Sequence, residues 1–342
     1  MITNKQMEKD IIAIKTNTLW NKTKAPRITI ITSNYNRRDA LYRCMKSVDA
    51  QTCRDIEYIV VDNGSTVSFD DIMEKFMSEA TIPVMFIKRS SGFGRHTGRN
   101  SAIKEARGEL LSIIDSDDEF LPHCMDTLLR AWDTIPKVKR RDYREVVALC
   151  EDEYGKQIGP CFPDEFNSST IERVFKLVQR SGYGVEHASL QRTDIMKDNL
   201  FLDPEGVTDS FESIIWKKLM SRYRSFFIND IVKRYYTANP DSITNIYKKG
   251  LTKNACISYL FKDQYYLNHW DEYLFPFSQR IKTILQYLSW KNILNKYQVN
   301  YDFDWARQGL KGLVNNSLAI ILWLPSHLYT WFFLKYRKGF VN

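Results

Sequence analysis

The sequence predicts an α/β domain built on a mainly parallel sheet, followed by a mostly helical C-terminal part. Short apolar runs alternate with segments of helical periodicity through the first half of the chain, the signature of βαβ units. Each of the first four runs ends in a cluster of Asn, Asp, Ser or Gly, the residues that turns require. Beyond about residue 250 the composition shifts to aromatic residues, and helical spacing takes over.

The elements follow in order. Residues 27–32 form the first strand, and 37–50 a helix with Leu41, Met45 and Val48 on one face. Residues 56–61 form the second strand, and 69–79 a helix with Phe69, Ile72, Phe76 and Met77 apolar. Residues 83–88 form the third strand, 97–107 the third helix and 110–114 the fourth strand. A helix over 122–134, a strand over 146–150 and a Gly/Pro-containing loop to about 168 come next. Helical periodicity dominates after residue 208.

Composition limits the function classes. A length of 342 residues, 44% hydrophobic and 26% charged, is that of a globular domain with an appendage. The net charge of +8 suits anionic partners: nucleic acid, membrane surface or phosphate-bearing substrates. The six cysteines have no C-x-x-C or Cys/His spacing, which excludes a zinc framework and points to a reducing compartment. Residues 1–25 are polar, without the apolar core of a secretory leader.

The chemistry concentrates at strand ends. The first strand runs into Ser33, Asn34, Tyr35 and Asn36, and the second into Asp62, Asn63, Gly64, Ser65 and Thr66. The third runs into residues 90–96, SSGFGRH, and the fourth into Asp115, Ser116, Asp117, Asp118 and Glu119. In open α/β sheets, ligands bind in the crevice outside the carboxyl ends of the strands. Carboxylates packed so closely are costly to ionise together, and a divalent cation relieves them. Hard oxygen ligands suit Mg²⁺ or Mn²⁺, which usually shares its sphere with substrate phosphates. The acidic run could equally be a solvated turn before the helix near Pro122.

The motifs ITIITSNYNR, SVDAQT, IEYIVVDNGST and RHTGRNSAIKEARGELLSIIDSDDEFLP, in this order over residues 27–122, resemble the family 2 glycosyltransferases of GT-A fold. The resemblance implies inverting transfer of a sugar from a nucleotide-diphosphate donor, in bacterial surface-polysaccharide assembly. It implies a donor site drawn from the strand-end residues, Asn34 and Asn36 included. Ser33 and Asp62 or Asn63 would contact base and ribose, Arg95 and Arg99 would lie near base or phosphate, and Asp115 with Asp117 or Asp118 would hold ribose and metal, with Asp117 and Asp118 as the metal ligands. His96, Thr97 and Gly98 replace small residues of the family, and Asn34 replaces a Thr common in relatives, so the nucleotide stays open. The implied division is a polar segment 1–25, a catalytic domain 26–248 with halves 26–122 and 123–248, and a helical region 249–342.

Direct inverting displacement needs one carboxylate base to take the acceptor hydroxyl's proton. The family carries an adjacent acidic pair that this chain lacks. Counting forward from Phe201 gives Asp209, and counting back from Trp216 gives Glu212. Asp209-Ser-Phe-Glu212 also reads as a capping box, in which Glu212 would turn back to backbone amides. Residues 234–242 resemble a loop that closes over the donor in relatives.

Two other patterns carry less. Gly92, Gly94 and Gly98 resemble a dinucleotide fingerprint, but that motif follows the first strand of its unit and here two strands precede it. The five histidines have no ligand spacing, and His96 and His187 read as surface or loop residues.

Residues 318–334 are mostly apolar and are followed by Lys335, Arg337 and Lys338. A full span needs about 20 apolar residues, and Pro325, Ser326 and His327 interrupt this one. The segment 313–338 therefore predicts docking on a membrane surface, the alternative being a helix packed on residues 255–300. The partners expected are a nucleotide-diphosphate sugar, a saccharide acceptor on a lipid carrier and the inner face of the cell membrane, with no nucleic acid. The protein is read as a cytoplasmic, peripheral enzyme; a binding module without turnover is the competing class.

Overall fold

The structure is a computed structural model that describes residues 10–22, 24–90, 95–180, 182–183, 185–204, 207, 211–237, 252–299 and 309–336, with backbone alone at 95, 180, 309–316 and 332–336. The chain divides into two compact units: Met1–Asp203 with Arg222–Thr237, and Pro204–Ser221 with Ala238–Asn342. Residues 204–221, expected within the catalytic domain, thus group with the C-terminal part.

The first unit is built on a ten-stranded sheet. Its strands are β1 (Ile11–Thr16), β2 (Ile28–Asn34), β3 (Ile56–Asp62), β4 (Val84–Arg89), β5 (Leu110–Ile113), β6 (Glu119–Phe120), β7 (Tyr143–Asp152), β8 (Gln157–Ile158), β9 (Ala188–Arg192) and β10 (Arg224–Tyr235). The order is β1-β4-β3-β2-β5-β9-β7-β10-β6, with β8 paired to β7. Strands β4, β3, β2 and β5 are mutually parallel, and β9 is antiparallel to both β5 and β7.

The parallel centre forms as the apolar runs predict, because strands covered on both faces need near-continuous hydrophobic sequence. Every residue of β3 is buried. Its one charged residue within the run, Glu57, accepts hydrogen bonds from Thr29 Oγ1 at 2.7 Å and Arg107 Nε at 2.6 Å. Helices α1 (Arg38–Asp49), α2 (Asp70–Glu79), α3 (Arg95–Glu105), α4 (Cys124–Thr134), α5 (Glu165–Ser168), α6 (Ile171–Arg180) and α7 (Thr193–Asp198) complete the unit. Leu41, Met45, Val48, Phe69, Met73 and Phe76 join Ile28, Ile30, Tyr58 and Val60 in its core.

Three elements depart from expectation. Strand β1 lies in the segment read as merely polar; it is held by antiparallel pairing to β4, while Ile12 and Ile14 stay exposed. Helix α5 falls in the segment read as a loop. Strand β10 lies where helical periodicity was read. It runs parallel to β7 with irregular register around 227–233, so its polar residues fit neither a helical nor a strict two-residue period.

The second unit contains α8 (Ser213–Met220), α9 (Lys253–Asn268), α10 (Phe277–Lys296) and α11 (Gly309–Tyr336). Cys256, Leu260, Ile284, Tyr287, Ile293 and Leu294 form its core. Helix α11 continues through Pro325. It sets Leu318, Ala319 and Leu322 against that core, and Asn292 Nδ2 donates to Ser326 Oγ at 3.3 Å. Its other face leaves Ile320, Ile321, Trp323, Leu324, Leu328 and Trp331 exposed. No described helix is long and apolar enough to cross a membrane.

Candidate functional site

The parallel register brings the first two polar clusters to one rim. Asn34 at the end of β2 stands opposite Asp62 at the end of β3, and the Asn63 amide donates to the Asn34 carbonyl at 2.9 Å. Ser65 N donates to Asp62 Oδ1 at 2.9 Å across a turn that uses Gly64 at φ +78°. Burial pushes the Asp62 carboxyl above its ordinary range. Asn36, at φ +55°, links the two loops: its amide donates to Ser65 Oγ at 3.0 Å and its Oδ1 accepts from Thr66 N at 2.9 Å. The Asn34 carboxamide is buried, and neither of its polar atoms has a hydrogen-bond partner among the described residues. Burying such a group unsatisfied costs about 1–3 kcal/mol, a cost that a ligand with its own donor and acceptor would relieve.

Helix α3 seats its first turn on this rim. A Cβ at Gly98 would stand 2.3 Å from Ser33 Oγ and 3.1 Å from Asn63 Oδ1, so only glycine permits the approach. Arg95 occupies the first position of α3. His96 is buried and stacks on Phe201 with ring centroids 4.9 Å apart, contrary to the surface position expected of it. Thr97 donates to Asp203, whose carboxyl burial pushes up to about 7.

The acidic loop carries its own counter-charges. Arg99 pairs with Asp115, Arg37 with Asp117, and Lys233 with Asp118 at 2.8 Å. Arg43 Nη2 donates to the Asp117 carbonyl at 2.8 Å, and Arg43 Nε sits 2.7 Å from Glu119. Its guanidinium also lies 4.0 Å from the Tyr236 ring centroid. Asp115 and Asp117 retain side-chain exposures of 44% and 14%, so both offer hard oxygen donors at the rim.

Asp118 differs. It is fully buried, its Oδ1 accepts from Tyr236 N at 3.2 Å, and Lys233 in turn reaches Glu186 at 2.6 Å. Burial pushes its carboxyl up to about 7 against the pull of Lys233. The expectation of Asp117 and Asp118 as paired metal ligands does not suit this geometry, because Asp118 is committed to a buried ion pair. Among the described residues no group of three or more His, Cys, Asp or Glu is arranged to hold a metal ion. Two rim carboxylates do fit a cation that takes its remaining ligands from a diphosphate and water.

Asp209 and residues 238–242 lie outside the described residues. Glu212, in the second unit, sits at the N-cap of α8 without capping it, and its Oε2 accepts from Trp216 Nε1 at 3.3 Å. Arg37, Arg43, Lys233 and Tyr236 were not singled out from the sequence. Lys233 lies between Val232 and Arg234 in a stretch that also holds Asn229 and Asp230, so no local pattern marked it, and the arginine directly after Asn36 was the signal for Arg37.

The chain matches the model of glycosyl transferase family 2 over residues 29–200. The uncharacterized glycosyltransferase YfnE of Bacillus subtilis is 27% identical over 247 residues, 69% of this chain and 58% of that protein, so the chain spans under two thirds of that relative. The GalNAc(5)-diNAcBac-PP-undecaprenol beta-1,3-glucosyltransferase of Campylobacter jejuni is 24% identical over 241 residues, covering 69% and 71% of the two chains. The UDP-Glc:alpha-D-GlcNAc-diphosphoundecaprenol beta-1,3-glucosyltransferase WfaP of Escherichia coli is 24% identical over 224 residues, covering 64% and 79%. Among solved structures, S. aureus TarS 1-349 with UDP-GlcNAc superposes at a TM-score of 0.54 and 15% identity, over 88% of this chain and 79% of that one. The same protein with UDP gives 0.52 and 17%, over 92% and 94%.

Proposed function

The chain belongs to glycosyl transferase family 2 and has the GT-A fold; from that premise we propose that it moves a sugar, with inversion, from a nucleotide-diphosphate donor to a hydroxyl of a lipid-linked saccharide in bacterial polysaccharide biosynthesis. The observation that carries the donor half is the shared rim of Asn34, Asp62, Asn63, Arg99 and Asp115, with a buried carboxamide lacking partners among the described residues. Asn34, Asn36, Asp62, Asn63 and Ser33 form the floor for base and ribose. Arg99 and Arg37, with Arg95 as a third candidate, offer planar guanidinium groups that can each bond two oxygens of the diphosphate. A divalent cation, Mn²⁺ or Mg²⁺, would be held by Asp115 and Asp117, and when bound it supplies Lewis-acid stabilisation of the leaving diphosphate. Asp118 keeps the loop in position from below through Lys233. The acceptor proton goes to a carboxylate of the segment 203–212, Asp209 or Glu212.

The lipid-linked acceptor is proposed from the names of the C. jejuni and E. coli relatives, both of which carry a diphosphate-linked undecaprenol. The exposed apolar face of α11 supports a peripheral position on the inner face of the membrane, with Lys335, Arg337 and Lys338 next to anionic headgroups.

The test is thermal unfolding with UDP, GDP or dTDP, each with and without Mn²⁺. A ligand that binds only the native state at 100 times its Kd adds about 2.7 kcal/mol. One nucleotide is expected to stabilise the wild type in a metal-enhanced manner, and Asp115→Asn with Asp117→Asn is expected to lose the metal-dependent part. Nucleotide affinity unchanged in that variant would defeat the assignment.

A further inference from the structure

The second unit holds a half-buried positive centre that the transferase reading does not use. The ammonium of Lys217 on α8 lies beside the rings of Tyr266 and Phe275, 5.7 Å from each centroid. It has no ion pair or hydrogen bond among the described residues, whereas its neighbour Lys218 is paired with Glu272 at 2.7 Å. Lys262 on α9 lies 4.9 Å from the Phe211 centroid and 4.8 Å from that of Tyr259. Phe211, Tyr259 and Trp290 form a row with successive centroids 4.8 Å apart. The single carboxylate among them, Asp263, is already taken: Lys262 stands 3.6 Å from its Oδ1 and Trp290 Nε1 donates to its Oδ2 at 3.0 Å. Lys282 adds a third positive charge at an exposed position.

A partly buried ammonium without a paired counter-ion is costly, and like charges beside it raise the cost. Burial lowers the Lys217 ammonium to about 8, and the neighbouring ammonium of Lys262 pulls it in the same direction. A core that needed only packing would be better served by Met or Leu here. Among the described residues two partly buried ammonium groups face one committed carboxylate, and this excess of positive charge suits a phosphate or diphosphate ester. The aromatic rings give the ester's organic part an apolar surface.

We propose that Lys217 and Lys262, walled by Phe211, Tyr259 and Tyr266, form a binding site for a phosphate or diphosphate ester within the second unit. The site belongs to the second unit and the donor rim to the first, and its test does not depend on nucleotide binding. The ester could reach the protein free in solution or as a lipid headgroup, and the experiment has an arm for each.

Full-length protein is exposed to a limiting amine-acetylating reagent at pH 8, alone, with sodium pyrophosphate, with phosphatidylcholine vesicles, and with phosphatidylcholine vesicles containing phosphatidic acid. Acetylation is read at each lysine by peptide mass. A bound anion holds Lys217 protonated, and a rise of one pKa unit lowers its reactive fraction roughly tenfold. Protection of Lys217 by pyrophosphate supports the site with a free ester, and protection by phosphatidic acid vesicles alone supports it with a headgroup. Lys217→Met is expected to raise the melting temperature while weakening the protection of Lys262. Lys217 labelling that neither probe alters overturns the proposal, as does a Lys217→Met variant that melts lower than the wild type, since the ammonium would then be structural.

Discussion

Asp117 and Asp118 are adjacent in the chain and opposite in circumstance. The first lies at the rim beside Arg37, and the second lies under it beside Lys233. Removing one partner of a buried ion pair costs about 3–5 kcal/mol because the other charge is left uncompensated, with Glu186 absorbing part of that loss here. Asp118→Asn is therefore expected to lower the urea midpoint markedly, whereas Asp117→Asn should leave the midpoint near wild type and weaken metal-dependent nucleotide binding. Equal effects from the two substitutions on both measurements would remove the distinction. For the base, losing a general base typically lowers turnover by about 10²–10⁴, so Glu212→Gln and Asp209→Asn, assayed by nucleotide release with acceptor present, should separate the two candidates while donor affinity holds. The sequence made Asp115, Asp117 and Asp118 visible as a cluster but could not rank them, because their spacing is the same whichever one turns inward. Their counter-charges come from 37, 99 and 233, positions that only the folded sheet brings together.

Elements were legible wherever burial imposed a clean period. Strands β2 to β5 and the helices between them follow the apolar runs closely, because a parallel strand covered on both faces is made mostly of apolar side chains. Strand β10 was missed because its lysine and arginine are satisfied by Asp118, Glu186 and Glu151 across the sheet, a compensation that no local pattern records. Strand β1 was missed because its stability comes from backbone pairing to β4. Helix α11 unites two readings that the sequence opposed, with one face packed on the core of its unit and the other apolar and exposed. A chain ending before residue 309 is expected to lose flotation with anionic liposomes, and the full chain to be released only in part by high salt, since aromatic insertion is not screened as headgroup attraction is. Complete release by salt would assign the attachment to the basic residues alone.

At the scale of the molecule, buried titratable groups set how stability responds to acid. Burial, with Lys233 nearby, lowers His187 to about 4 from 6.5. The unfolded chain then takes up this proton first, so stability contributed by neutral His187 is complete above pH 6.5 and is lost as pH falls toward 4. The contribution is at most about 3 kcal/mol. Asp203, raised to about 7 mainly by burial, acts in the opposite sense, favouring the fold as pH falls below 7. His187→Leu compared with the wild type at pH 7 and pH 5 isolates the histidine, and the variant is expected to lose less stability between the two; equal losses would mean that the ring can be charged in place. The sheet that holds these groups has two unlike borders. On one side it ends in β6, which spans only Glu119–Phe120 and gives a foreign strand little to grip. On the other it ends in β1, six residues long with Ile12 and Ile14 facing outward. An outermost strand of that length, with apolar side chains, is a template for a second chain's backbone. Crowding at high concentration should therefore begin at β1, and Ile12→Lys should delay the onset of light scattering without moving the melting temperature by more than a degree or two.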